Sequence, residues 1–237
     1  MFALTIFLLL TWLLGSAAWA HDPFVLDSRR AAPGNIQLEL VEVPSSSQAA
    51  SKRYKLFVSG FSPGKLFSLF TRDFSHSFHE VKSGFRLERG DGVSADYGLL
   101  NEVLIEPGPY PRGAAWEVAL VSSDRLIRSF TKVIPYPITF RAGDCAVWLE
   151  LVSQRGDRFL ASGSGFPSND DVVIESRFSG RIITKRKEVS FDGTLPQDDV
   201  LLGGTSTDYS AQYTVKAKSC EVMVNYKWGE AALTRYQ

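Results

Sequence analysis

The stretch Val58-Ser59-Gly60-Phe61-Ser62-Pro63-Gly64, followed by the apolar run Leu66 to Phe70 and by Arg72-Asp73-Phe74-Ser75, decides the fold because it comes twice. About a hundred residues on stand Ser164-Gly165-Phe166-Pro167-Ser168, then Val172-Val173-Ile174, then Arg177-Phe178-Ser179. Each copy reads as strand, Gly/Pro turn, strand. A supersecondary unit repeated at this period predicts two copies of one module, and apolar alternation without helical spacing makes each module a β-sandwich. The doubling speaks to scaffold rather than to chemistry.

Further segments follow the same rhythm. Leu-Glu-Leu-Val stands at 38–41 and again at 149–152, each time ahead of the Gly-Phe turn, and reads as the first strand of each module. Gly90-Asp91-Gly92 and Asp192-Gly193 read as turns, because Gly tolerates positive φ and Asp caps its own turn. An apolar strand comes next in each half, Val103-Leu104-Ile105 and Val200-Leu201-Leu202. The closing hairpins, Trp116 to Phe130 and Tyr213 to Tyr226, align Trp116 with Tyr213 and Ser122-Ser123 with Lys218-Ser219. Pro135-Tyr136-Pro137 fixes φ and removes ladder donors, so it predicts a short, stiff hinge between the modules. Helix in the exported chain should be slight.

Phe2 to Leu14 is almost unbroken apolar, and Ala18-Trp19-Ala20 supplies the small residues a signal peptidase needs. The expected division is therefore a signal peptide over 1–20, an arm or edge strand over 21–34, modules over 35–137 and 138–230, and a tail over 231–237. A retained anchor is the alternative, since no Lys or Arg precedes the apolar run. No later run approaches transmembrane length, so no membrane span is expected after signal removal. Lys plus Arg balances Asp plus Glu at 26 each, and the split at Pro137 is 14 against 13 before it and 12 against 13 after it. Neither half has the basic excess that nucleic acid or anionic lipid demands. The expected setting is periplasmic or secreted, with a protein or glycan partner.

The order of strand, Gly-Phe-x-Pro turn, strand, long middle, Gly/Pro-rich loop and aromatic-led hairpin resembles the tandem immunoglobulin-like modules of exported bacterial proteins, over residues 35 to 230. Gly60-Phe61-Ser62-Pro63-Gly64 fits that turn, whereas Gly165-Phe166-Pro167-Ser168-Asn169 inverts its order. The resemblance implies an all-β chain of two tandem immunoglobulin-like sandwiches. It carries over no functional residue, because such modules share a scaffold and not a site. Cys145 and Cys220 are the two cysteines, and in an exported chain a disulfide is the default, with a redox role the alternative. In an immunoglobulin-like sandwich the strands that these cysteines open can lie side by side. The closed loop of about 75 residues would be worth on the order of 4 kcal/mol on the chain-entropy model.

Candidate chemistry is sparse. Cleavage before His21 would give an amino-terminal His, whose α-amino group and imidazole can chelate copper with a second imidazole from His76 or His79. The bland reading is a cleavage-site residue and two surface histidines. There is no Gly-x-Ser-x-Gly and no His-Glu-x-x-His. Asn169-Asp170-Asp171 and Asp198-Asp199 lack calcium-loop spacing and read as solvated turn acids. Arg181, Lys185, Arg186 and Lys187 form a basic cluster that reads first as a protected sheet edge and second as a face for an acidic glycan or partner. The expectation is a non-enzymatic binding or structural protein. The alternatives are a periplasmic chaperone acting by β-strand addition and the copper protein.

Overall fold

The computed structural model describes residues 26, 36–43, 52–60, 64–74, 76–88, 91–94, 98–99, 104–203 and 208–236. The expected signal peptide over 1–20, His21, most of the 21–34 segment, Phe61 to Pro63 and the Pro44 to Ser51 loop lie outside these residues. The first half contributes β1 (Gln37–Val43), β2 (Arg53–Ser59), β3 (Leu66–Arg72), β4 (His79–Glu88), β5 (Asp91–Ser94), β6 (Gly98–Leu99), β7 (Leu104–Ile105), β8 (Tyr110–Pro111), β9 (Trp116–Ser122) and β10 (Arg128–Val133). The second contributes β11 (Ile138–Ala142), β12 (Cys145–Leu151), β13 (Arg158–Ser164), β14 (Asp171–Phe178), β15 (Arg181–Glu188), β16 (Leu195–Leu201), β17 (Ser210–Lys216), β18 (Glu221–Lys227) and β19 (Arg235–Tyr236). One short 3-10 turn, Gly229–Leu233, is the helical element among the described residues.

The chain is all-β, built from antiparallel sheets, and its halves share one strand order. Sheet β1-β2-β7 lies over β10-β9-β3-β4, which β5 and β6 extend. In the second half β12-β13-β16, extended by β11, lies over β18-β17-β14-β15. The correspondence reaches single residues: Tyr54 pairs with Ile105 where Phe159 pairs with Val200. Alternation along β3 buries Phe67, Leu69 and Thr71, and along β14 it buries Val172, Ile174 and Ser176. Each strand thus sends every second side chain inward.

The two Gly-Phe turns match in backbone at their first and last residues. Gly60 and Gly165 hold φ of 76° and 78°, and four residues later Gly64 and Asn169 hold 95° and 55°. Asn is among the few residues besides Gly that enter the left-handed region readily. The inverted order of the second copy therefore leaves the positive φ at both ends of the turn in place. A Cβ on Gly165 would stand 2.0 Å from the Asp144 carbonyl oxygen, which makes glycine obligatory there.

Some sequence expectations need correction. Leu38 pairs with Val58 and Val147 with Gly163, so the structural partner of Leu38 is Val147 and not Leu149. Leu69 pairs with Leu120 and Ile174 with Val215, so Val118, and not Trp116, corresponds to Tyr213. Both slips are of two residues. Asp91 and Gly92 lie in β5 rather than in a turn, while Asp192 does cap its turn, accepting from the Thr194 N–H at 3.0 Å. Cys145 and Cys220 are disulfide-bonded with Cα atoms 6.5 Å apart. However, β12 and β18 belong to opposed sheets, so the bond staples the sandwich across its core and does not tie neighbours in one sheet.

Candidate functional site

The halves meet through a segment that the sequence marks only as a Gly/Pro-rich loop. Gly113 donates to the Tyr136 carbonyl at 2.7 Å and accepts from the Leu151 N–H at 2.9 Å, with Ala114 bridging Leu151 in parallel. Residues 113–114 thus act as a joint between the Pro135-Tyr136-Pro137 hinge and β12. A Cβ on Gly113 would lie 2.8 Å from Ile138 Cδ1, and its φ is 80°. Just ahead, Tyr110 is fully buried and donates its hydroxyl to the Ala115 carbonyl at 2.8 Å. Burial pushes its phenol well above the ordinary range. Lys132 reaches Glu150 at 2.7 Å across the same seam.

The carboxyl end closes this joint. Residues 231–237, expected to be a tail, include β19, which pairs antiparallel with β8 so that Arg235 opposes Pro111 and Tyr236 opposes Tyr110. Arg235 donates to the Pro109 carbonyl at 3.3 Å, and the Tyr236 ring lies against Tyr136 with centroids 6.1 Å apart. The chain leaves the second sandwich at Trp228, crosses in the 3-10 turn and completes a sheet on the first half. One apolar core runs through both halves, from Tyr54 and Trp116 by way of Ala114, Ile138 and Leu151 to Tyr213 and Tyr226.

This closure shapes a cleft of about 530 Å³ between Arg112, the 3-10 turn, Tyr236 and the ends of β17 and β18. Arg112 donates Nε to the Pro137 carbonyl at 3.3 Å, and Lys227 donates to Ser210 Oγ at 2.8 Å. Asn225 accepts from the Gln212 amide at 3.0 Å. Ile138, Ala211 and Ala232 supply apolar lining, and none of the described lining residues is acidic. A cleft of this size with a few convergent polar groups has the form of a ligand site.

The residues singled out by the sequence fall elsewhere. His76 is exposed and its Nδ1 contacts Asp73 Oδ1 at 2.6 Å, while His79, at the start of β4, has its Nε2 3.3 Å from Thr71 Oγ1. They flank the turn before β4 and engage different partners. His76 lines a smaller cavity of about 280 Å³ with Arg72, Glu117 and Glu150. Among the described residues no group of three His, Cys, Asp or Glu is placed to hold a metal ion.

The basic cluster divides in two. Its strand, β15, is the edge of its sheet and, among the described residues, is bonded only to β14. Lys185 and Lys187 turn toward β16, where their ammonium groups approach Asp198 Oδ1 at 3.4 and 3.2 Å and Lys187 donates to the Gln197 carbonyl at 2.7 Å. Asp198 is 4% exposed and also accepts from the Tyr213 hydroxyl at 3.3 Å. Burial first, and the Asp198 anion second, push the Tyr213 phenol far up. Phe67 opposes buried Phe85 in the first half, and Val172 opposes Lys187 in the second, so the lysine occupies the place of an apolar plug. Lys185 and Lys187 therefore close the side of the sandwich. Arg181 and Arg186 remain exposed without an ion-pair partner among the described residues.

No protein-family model matches the chain. No curated protein matches it either. Among solved structures it is similar to the tetra-tandem repeat in the extending region of a large adhesion protein, with 13% identity and a TM-score of 0.28 over 83% of this chain and 50% of that one. The chain spans half the length of that structure, and a likeness of this degree carries no functional argument.

Proposed function

We propose that this chain is an exported, non-enzymatic binding protein in which two immunoglobulin-like sandwiches are joined into one body, with a cleft at the joint. The observation that carries this reading is the return of the carboxyl-terminal strand onto β8, which spends chain length on holding the junction and walls the cleft with Tyr236. A flexible pair of beads has no need of such a strap. No helix among the described residues is long and apolar enough to cross a membrane. The paired cysteines suit an oxidising compartment.

The test joins a binding panel to a turnover panel. The purified exported protein is screened for saturable binding to polysaccharides and surface proteins, and for hydrolase and copper-dependent oxygenase activity. Saturable binding without turnover supports the reading, and robust turnover overturns it. Amino-terminal sequencing decides the copper alternative, which requires a start at His21. Strand addition remains a second reading, favoured by the eight-residue edge β15, on which Ile182 and Ile183 are 60% and 40% exposed. A client bound in that way would slow amide exchange along β15.

A further inference from the structure

We propose that the junction cleft binds a carboxylate-bearing saccharide, with Arg112 gripping the carboxylate, Tyr236 offering its ring to a sugar face and the outer rungs of β17 and β18 reading hydroxyls. The inference rests on the reading of the chain as a binding protein and names the ligand of that cleft.

The charge pattern selects an anion. Arg112 and Lys227 flank the cleft, and none of its described lining residues is acidic. Arg112 uses Nε on the Pro137 carbonyl, which leaves the Nη side of the guanidinium open, the side that takes a carboxylate by two parallel hydrogen bonds. The same bond fixes the plane of the fork, so little freedom is lost on binding. Lys227 spends one N–H on Ser210 and keeps two. Asp208 lies close enough for the Lys227 charge to help hold its carboxyl below the ordinary range, behind the larger contribution of the Ser210 N–H and hydroxyl. Arg112 is therefore the primary anion group and Lys227 the secondary one.

The rest of the lining selects a sugar over a simple anion. Tyr236 is 43% exposed beside the cations and is backed by Tyr136, so one aromatic surface is held out to solvent in a fixed plane. An aromatic side chain with an apolar body and a polar tip suits a ligand that is itself half apolar and half wet. Asn225 accepts from Gln212 through its carbonyl and so keeps its own N–H donors for a ligand hydroxyl. Ser210 and Gln212 on β17 and Asn225 and Lys227 on β18 alternate outward, continuing the polar strip beyond the cleft as a groove does for a chain-like ligand. The volume falls within the range of small-ligand sites, on the order of 300 to 1,000 Å³.

The experiment is calorimetric titration of the exported protein with trigalacturonate and, separately, with galactotriose. The acidic trimer should bind at least about tenfold more tightly, as befits loss of a charge-assisted bidentate pair. Arg112→Ala and Tyr236→Ala should each weaken it by about tenfold, Arg112→Lys should fall between, and Arg186→Ala on the distant edge should change nothing. Thermal unfolding and small-angle scattering of each variant establish that the junction is intact. Equal affinity for the two trimers, or unchanged affinity in Arg112→Ala and Tyr236→Ala with the fold intact, overturns the proposal. Failure of trigalacturonate in a protein that binds another ligand removes the cleft assignment alone. Absence of all binding removes the parent reading as well.

Discussion

Burying a carboxylate costs several kcal/mol unless its oxygens are satisfied, and Asp198 is satisfied by Tyr213, Lys185 and Lys187 at the place where the first half uses Phe85. Asp198→Val should therefore cost about 1 to 3 kcal/mol, because the Tyr213 hydroxyl is left buried without an acceptor. Asp198→Val with Lys187→Phe and Tyr213→Phe rebuilds the apolar plug of the first half and should recover most of that loss. Urea midpoints of the single and triple variants check the pair, and a triple variant no more stable than the single one contradicts the plug. Asp124 offers a pH test. The Lys65 ammonium, then Ser122 and the Leu126 N–H, lower its carboxyl from 3.8 to about 2. A depressed carboxyl stabilises the fold above its ordinary value, and that contribution is lost as pH falls toward 2. Asp124→Asn should be less stable than wild type at pH 5, and the gap should close between pH 4 and 2. A gap that stays constant with pH would assign the loss to something other than this carboxylate.

Strand repeats keep their inward face when shifted by an even number of residues, which is why the doubled pattern gave the right sandwiches from slightly wrong alignments. Matching Leu38 to Leu149, or Trp116 to Tyr213, displaces the comparison by two positions and keeps inward-facing positions matched to inward-facing ones. The Gly-Phe turn was legible for the opposite reason, since a positive φ admits few residues and both copies pay for it with Gly or Asn. The cysteine pairing was legible from their number, while its path across the core was not, because β11 precedes Cys145 and no residue pattern says which sheet a first strand joins. Least legible was the site. Arg112, Lys227 and Tyr236 are far apart in sequence and come together only when a two-residue strand pairs with a two-residue partner, too short for any periodicity to announce. Gly108-Pro109-Tyr110-Pro111-Arg112-Gly113 was the available signal, an aromatic between prolines ending on a glycine with φ of 80°. Gly113→Ala tests it: the added methyl meets Ile138 and the backbone is strained, so a loss of about 1 to 3 kcal/mol and faster exchange of the Leu151 amide are expected. Unchanged exchange at Leu151 would mean that the joint does not depend on this turn.

At the level of the molecule, the disulfide and the strap act on different parts. Cys145→Ser with Cys220→Ser should destabilise the second sandwich by a few kcal/mol, on the order of the 4 kcal/mol expected for a 75-residue loop, and leave the junction geometry unaltered. Calorimetry of the oxidised and reduced protein reads this directly. On the first sandwich, Leu26 lies buried against Ala119 and Val121 on the outer face of β9, with Phe70, Phe78 and Phe130 around it, so part of the 21–34 arm covers a sheet face that would otherwise be apolar and wet. What makes the two sandwiches one body is the joint at Gly113 to Ala114 together with the return of β19 onto β8. The proline hinge alone would restrict bending but would not fix rotation. Small-angle scattering of the intact protein, beside a chain truncated after Trp228, tests this most directly. The account predicts a single narrow size distribution for the intact protein that matches the locked arrangement, and a broader, more extended one once the strap is gone. A broad distribution in the intact protein, or an identical narrow one in the truncated chain, would contradict it.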